Sequence, residues 1–142
     1  GTDLFVEAML QLLPNLPGAV ALVVGRATKE HHKFDLTLED KVQRAGMIDR
    51  IRFIGEMPAA DLPRLLQGLS LVMQLPRYEG YGMVPLEGMA SGVPFVGSEA
   101  GYYTAFSAQG RCGTVVPQDM PAAVARIFDF EARGAAVFQA VL

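Results

Sequence analysis

Leu4, Phe5, Ala8, Met9, Leu12 and Leu13 recur at i, i+3 and i+4, so the opening segment has one apolar face and reads as a helix. Thr2 or Asp3 can cap it, and the stretch from Pro14 to Gly18 ends it. Residues 19–24 form an unbroken apolar run closed by Gly25, the pattern of a strand buried on both faces. A charged loop, residues 26–33, leads into a helix over about residues 36–45 that Gly46 stops. Residues 51–54 predict a short strand ending at Gly55. Pro58 and Asp61 open a helix through about Leu66, and residues 69–75 are apolar enough for another strand. The next helix begins near Pro85, where a missing N–H costs nothing, and runs to about Ser91 with Gly92 as its cap. Residues 94–97 predict a strand, residues 102–106 one short helix, and residues 113–116 the last of five strands. A final helix is expected from near Pro121, broken at Gly134 and ending in residues 136–142.

Strands alternate with helices, and the connections are too long for hairpins. The expected fold is therefore α/β: a single Rossmann-like, doubly wound parallel sheet with both faces covered, occupying residues 1–142. Ligands of such sheets bind beyond the carboxyl ends of the strands. No repeat, linker or low-complexity tract interrupts the pattern.

Composition narrows the function classes. With 142 residues, 51% of them apolar and 19% charged, the chain can bury a real core. A net charge of −3 gives no basic surface for nucleic acid, and no apolar run reaches the eighteen or so residues of a membrane span. Gly1-Thr2-Asp3-Leu4 lacks the basic region and cleavage site of a signal peptide. The lone Cys112 rules out an internal disulfide and fits a reducing, cytoplasmic compartment. It reads as a small residue at a strand edge, since no His stands near it.

The candidate chemistry lies in Glu79-Gly80-Tyr81-Gly82-Met83-Val84-Pro85-Leu86-Glu87. A glycine turn feeding a helix start is an anion site, because free backbone N–H groups and the positive end of the helix dipole point the same way. Glu79 precedes the turn, and Glu87 is placed on the first turn of the helix after it. Two carboxylates around an anion site suit a phosphate flanked by hydroxyl-rich groups, as in a nucleoside diphosphate sugar. Taken as structure alone, Glu79 would be a solvated loop carboxylate and Glu87 a favourable charge at a helix start. A dinucleotide fingerprint fails because Pro85 stands near where its third glycine is required, and a P-loop fails for want of Gly-Lys-Ser/Thr.

The wording Pro76-x-x-Glu79-Gly80-Tyr81-Gly82, then Pro85-Leu86-Glu87-Gly88-Met89-Ala90-Ser91-Gly92-Val93-Pro94, resembles the donor-binding signature of the retaining GT-B glycosyltransferases of family 4. Tyr81 stands for the usual Phe, and Phe95-Val96 for the usual Val-Val. Val23-Val24-Gly25, Ile51 to Gly55 and Gly113 to Asp119 are similar to family segments, so the resemblance covers nearly the whole chain. It implies that Glu79 sits by the transferred hexose and that Glu87 holds the ribose hydroxyls. It also implies that the N–H groups of Gly82, Met83 and Val84 face the pyrophosphate, with Gly80 and Tyr81 in the same turn. The base edge is expected at Ile54 and Gly55. No essential metal is implied, and no Asp-x-Asp or His/Asp cluster is present.

Three departures qualify the resemblance. The family's Gly-Gly-x-Pro-Glu-like run is replaced by Ala100-Gly101-Tyr102-Tyr103-Thr104-Ala105-Phe106, where only Gly101 can be placed. The loop after Gly25 lacks the frequent Asp-Gly-Pro. It holds Arg26, a candidate phosphate contact, with Lys29, His31, His32 and Lys33; the two histidines lack metal-ligand spacing. The family's Arg-x-x-x-x-Lys-Gly clamp would end at Gly1, so the expectation is a C-terminal donor domain whose N-terminal acceptor domain lies outside this chain. That domain would bring a glycan or glycolipid acceptor.

Arg77-Tyr78-Glu79-Gly80-Tyr81-Gly82 resembles bacterial mannosyltransferases of lipopolysaccharide core assembly, which points to GDP-mannose ahead of UDP-hexoses. The parent enzyme would work in the cytoplasm, with room for peripheral association with the inner face of the membrane. Two alternatives share the scaffold: a non-catalytic α/β module binding a phosphorylated ligand or partner, and a nucleotide-sugar epimerase or phosphorylase-like enzyme. The second class lacks the Glu-x7-Glu wording.

Overall fold

The computed structural model describes residues 1–25, 32–107, 112–119, 124 and 139–141. The loop holding Arg26, Lys29 and His31, the side chains of His32 and Lys33, and, apart from Val124, the helix expected from Pro121 to Gly134 fall outside these described residues.

The elements run α1 (Thr2–Leu12), a 3-10 turn (Leu13–Asn15), β1 (Ala21–Val24), α2 (His32–Arg44), β2 (Ile51–Gly55) and α3 (Leu62–Gln67). They continue with β3 (Val72–Gln74), α4 (Met83–Ala90), β4 (Phe95–Ser98), α5 (Tyr103–Phe106), β5 (Gly113–Val116) and β6 (Gln139–Val141). All pairings are parallel, in the order β2-β1-β6-β3-β4-β5. From β1 the chain winds outward to β2, and from β3 it winds the other way to β4 and β5. The reversal between β1 and β3 is a switch point, where a crevice opens at the carboxyl edge.

β6 corrects the expected five-strand sheet. Residues 139–141, expected to be the end of a helix, pair with β1 on one side and β3 on the other, Ala140 standing opposite both Val23 and Met73. Without β6, the facing edges of β1 and β3 would carry unpaired N–H and C=O groups inside the molecule, a cost that favours strand over helix.

Successive strand residues serve opposite faces. Leu71, Met73 and Val96 join Phe5, Met9, Leu12, Leu38 and Val42 of α1 and α2 in one core. Val72 and Phe95 join Leu66 of α3, Val93 and Tyr103 of α5 in the other. Each fully buried Leu or Phe contributes about 1.5–3 kcal/mol. Arg50 locks the turn after α1: its guanidinium donates to the carbonyls of Leu13 (2.9 Å), Leu16 (2.6 Å) and Ala19 (2.8 and 3.1 Å).

Neither Thr2 nor Asp3 caps α1 as expected. The cap is Gly1 with no side-chain bond, and Asp3 lies in the first turn, where Arg77 claims its carboxylate. Among the described residues no helix is long and apolar enough to cross a membrane.

Candidate functional site

β3 delivers the chain to the carboxyl edge at Gln74, and the next eight residues form the turn that carries Glu79. Several bonds fix its entry. Ser98 Oγ, at the end of β4, donates to the Pro76 carbonyl at 2.5 Å. Gln118 Nε2, beyond β5, donates to the carbonyls of Pro76 and Arg77, both at 3.2 Å. Arg77 donates through Nη1 and Nη2 to the two oxygens of Asp3, which lowers the Asp3 pKa from 3.8 to about 2, chiefly through that side-chain hydrogen bond. The segment leading to Glu79 is thus held from three elements.

Glu79 is half-buried, and its Oε1 accepts the Gly80 N–H at 3.0 Å. Gly82 then takes a left-handed conformation, φ 94 and ψ 68, and caps α4. No side chain caps this end, so the N–H groups of its first turn have no intrahelical partner. Pro85 is the third helical residue and has no N–H to offer. The free donors are those of Gly82, Met83 and Val84, aligned with the positive end of the helix dipole.

α4 begins two residues before the expected Pro85, because left-handed Gly82 turns the chain into the helix at once. Glu87 is consequently the fifth residue of α4 rather than a first-turn residue, and the first turn carries no acid. Glu87 is half-buried. Its position on the second turn weakens its reading as a dipole-compensating charge, since that effect is confined to the first turn.

Ile54 and Gly55 lie at the carboxyl end of β2, on the far side of the switch point from Glu79. Ile54 is exposed, and Gly55 has φ 77 with its carbonyl accepting the Gly25 N–H at 2.8 Å. They share the carboxyl edge of the sheet with the Glu79–Glu87 turn, across β1 and β6. Arg26 is outside the described residues.

Sequence reasoning gave no role to the 102–106 segment, yet it supplies the walls of the turn. Tyr103 is completely buried, 0% exposed, and its ring lies between Gly82 and Gly97, where a Cβ on either glycine would overlap it. Its hydroxyl donates to Gln74 Oε1. Burial, then the charge and hydrogen bonding of Glu79, push the phenol pKa well up. Tyr102 is exposed and Phe106 partly buried against the second core, and both pack with Tyr81, at centroid distances of 5.4 and 5.7 Å. The signal was the i, i+3 spacing of Tyr103 and Phe106, which marks an apolar face on even one helical turn.

A cleft lined by Met89, Gly92, Val93, Pro94 and Cys112 opens at the amino ends of β4 and β5. That edge is opposite to the one where open α/β sheets bind substrates.

The family model for glycosyl transferases group 1 matches residues 1–131. The lipopolysaccharide core biosynthesis mannosyltransferase LpsB of Rhizobium meliloti (strain 1021) is 44% identical over 104 residues, 73% of this chain and 29% of that protein. The lipopolysaccharide core biosynthesis mannosyltransferase LpcC of Rhizobium leguminosarum bv. viciae is 45% identical over 116 residues, 82% of this chain and 32% of that protein. The chain therefore spans under a third of the length of these relatives. Among solved structures, the C-terminal domain of a glycosyl transferase group 1 family protein (LpcC) from Francisella tularensis superposes with TM-score 0.81 at 30% identity, over 94% of this chain and 67% of that one. Anabaena Alr3699/HepE in complex with UDP superposes with TM-score 0.80 at 25% identity, over 96% of this chain and 37% of that one.

Proposed function

We infer the activity from the family: the chain belongs to the glycosyl transferases group 1, and its architecture is the Rossmann-like carboxyl half of a GT-B fold. We propose that it is the donor-binding half of a retaining hexosyltransferase. The enzyme moves mannose from GDP-mannose to a hydroxyl of a glycan or glycolipid acceptor in lipopolysaccharide core synthesis. An N-terminal domain outside this chain holds the acceptor. The work is done in the cytoplasm, at the inner face of the membrane.

The observation that carries this reading is the placement of Glu79 and Glu87 on either side of an uncapped helix start opened by left-handed Gly82. The pyrophosphate is neutralised by the N–H groups of Gly82, Met83 and Val84. Glu87 then accepts from the ribose hydroxyls and Glu79 from the hexose. Ile54 and Gly55 meet the base across the switch point. Mannose is supported by the LpsB and LpcC relatives, and a nucleoside diphosphate by the UDP complex of HepE.

In the transfer, the acceptor oxygen bonds to the anomeric carbon as the bond from that carbon to the phosphate oxygen breaks. The nucleoside diphosphate leaves with the electron pair and takes up the hydroxyl proton. Positive charge develops at the anomeric centre and negative charge on the leaving phosphate. Glu79 stabilises the first and the α4 amides the second, both fixed before the reaction begins.

The test is transfer by the full-length polypeptide from GDP-mannose, UDP-glucose and ADP-glucose to a truncated lipopolysaccharide core, with the new linkage assigned by NMR. Mannose transfer from GDP-mannose with an α linkage is expected. The 142-residue chain alone is expected to be inactive, because the attacking hydroxyl must be held within roughly 3–3.5 Å of the anomeric carbon. Binding of nucleoside diphosphate with no transfer from any donor by the full-length polypeptide would favour the non-catalytic module.

A further inference from the structure

The turn that carries Glu79 is fixed differently at its two ends. At its exit, close packing holds it: a Cβ on Gly101 would stand 3.1 Å from the Glu79 carbonyl oxygen, and one on Gly82 would enter the Tyr103 ring. At its entry, polar bonds hold it, and Arg77 is the last residue they reach before Glu79. Its guanidinium spans to Asp3 on the first turn of α1, Nη1 to Oδ1 at 2.8 Å and Nη2 to Oδ2 at 2.5 Å. The start of α1 meets the same segment a second time, through backbone. A Cβ on Gly1 would stand 2.2 Å from the Leu75 carbonyl oxygen and 2.9 Å from Pro76 Cα. Past Arg77 the turn is open. Tyr78 is 89% exposed, and the Glu79 carboxylate accepts from the N–H of its own neighbour Gly80, a bond that moves with the turn.

An arginine two residues before a hexose-facing carboxylate has two roles open to it. It could lie along the donor phosphates, or it could hold the turn. The geometry decides between them. Both outer nitrogens are spent on Asp3, each on its own carboxylate oxygen, so the charge is matched and the planar fork is closed. A pyrophosphate would have to break that pair to gain the guanidinium.

We infer that Arg77 is a positioning residue that aims the Glu79 carboxylate by latching its turn to α1, with Asp3 as the catch. This rests on the reading of Glu79 as the hexose-facing group. The Arg77 side chain is 55% exposed and that of Asp3 26%, so the pair adds little to the stability of the whole domain. The position of an open turn is a local equilibrium, however, and a pair worth about 1 kcal/mol shifts it about fivefold. Only the transition state demands the full alignment, so the shift acts on the rate. Nucleotide binding is carried by the α4 amides and Glu87 and is left alone.

The experiment compares Arg77→Met, Asp3→Asn, their double variant, Arg77→Lys and Glu79→Ala in the full-length enzyme, well below its unfolding transition. Each is measured for kcat at saturating donor and acceptor, and for affinity toward GDP. Arg77→Met and Asp3→Asn should each lower kcat about fivefold with GDP affinity unchanged. The double variant should be no worse than either, because one latch is lost in all three. Arg77→Lys should fall between, since an ammonium cannot match both oxygens. Raising salt from about 0.05 M to about 0.5 M should close the gap between wild type and Asp3→Asn, because a half-exposed pair is screened. Asp40→Asn breaks the Arg44 pair near the end of α2, at the opposite edge of the sheet, and should leave kcat unchanged. Wild-type kcat in Arg77→Met or Asp3→Asn, beside a crippled Glu79→Ala, overturns the inference and leaves the reading of Glu79 standing. A loss of GDP affinity in Arg77→Met with Asp3→Asn silent makes Arg77 a phosphate ligand and also overturns it. So does an additive loss in the double variant, or an equal loss in Asp40→Asn. Wild-type kcat in Glu79→Ala overturns the reading itself.

Discussion

Arg77 grips Asp3 with two parallel hydrogen bonds, Nη1 to Oδ1 at 2.8 Å and Nη2 to Oδ2 at 2.5 Å, across 74 positions of sequence. The pair ties the first turn of α1 to the loop that carries Glu79 two residues later.

The pair sets a pH dependence. Asp3 has a folded pKa of about 2 against 3.8 unfolded, mainly from the Arg77 hydrogen bond. A depressed carboxylate contributes stability that is fully present above the unfolded value and lost as pH falls through the folded one. Arg77 is half exposed, so the contribution is about 1 kcal/mol after solvent screening. Asp3→Asn should lower stability by that amount at pH 7 and flatten the loss between pH 4 and pH 2, as read by urea denaturation across pH. A variant that retains the wild-type slope there would show that another carboxylate is responsible.

Arg50 is the anchor of the turn after α1. Arg50→Ala leaves the carbonyls of Leu13, Leu16 and Ala19 without their shared donor and should cost about 2–3 kcal/mol. Arg50→Lys should recover less than half of that, because an ammonium cannot reproduce the planar fork. Thermal unfolding of the three proteins decides it.

Gly97→Ala should cost about 2–3 kcal/mol, since its new methyl would enter the Tyr103 ring. The cost should shrink in a Tyr103→Leu background, where the ring is gone. Equal losses in both backgrounds, measured in urea, would place the strain elsewhere.

Glu87→Ala and Glu79→Ala should separate the two ends of the donor. Losing a charge-assisted bond to ribose should weaken nucleoside diphosphate binding by about 1.5–3 kcal/mol for Glu87→Ala, with or without a sugar attached. Glu79→Ala should leave that affinity alone and lower kcat roughly a hundredfold to a thousandfold, as expected for an electrostatic group at the reacting centre. Calorimetry with GDP beside steady-state kinetics gives both answers. Identical affinity of Glu87→Ala and wild type would leave Glu87 as a surface charge, and a wild-type kcat in Glu79→Ala would remove it from the chemistry.

The sequence by itself determined most of the local elements and the glycine turn between Glu79 and Glu87. The 3.6-residue rhythm of Leu4 to Leu13, the apolar run before Gly25 and the glycines after each element act over a few residues, so they can be read without knowing what lies opposite. The same holds for the Glu79–Glu87 spacing and for the N–H groups released at Gly82. What only the tertiary structure decided is which distant groups meet. The run around Gln139–Val141 is too short for its pattern to tell helix from strand, and its place between β1 and β3 settled the matter. Tyr102 and Tyr103 are the same residue type side by side, yet one is exposed and the other fills the gap between Gly82 and Gly97. Asp3 reads as a helix cap until Arg77 offers a bidentate partner. These outcomes depend on space and partners supplied by segments dozens of residues away, and such contacts leave no periodic trace along the chain.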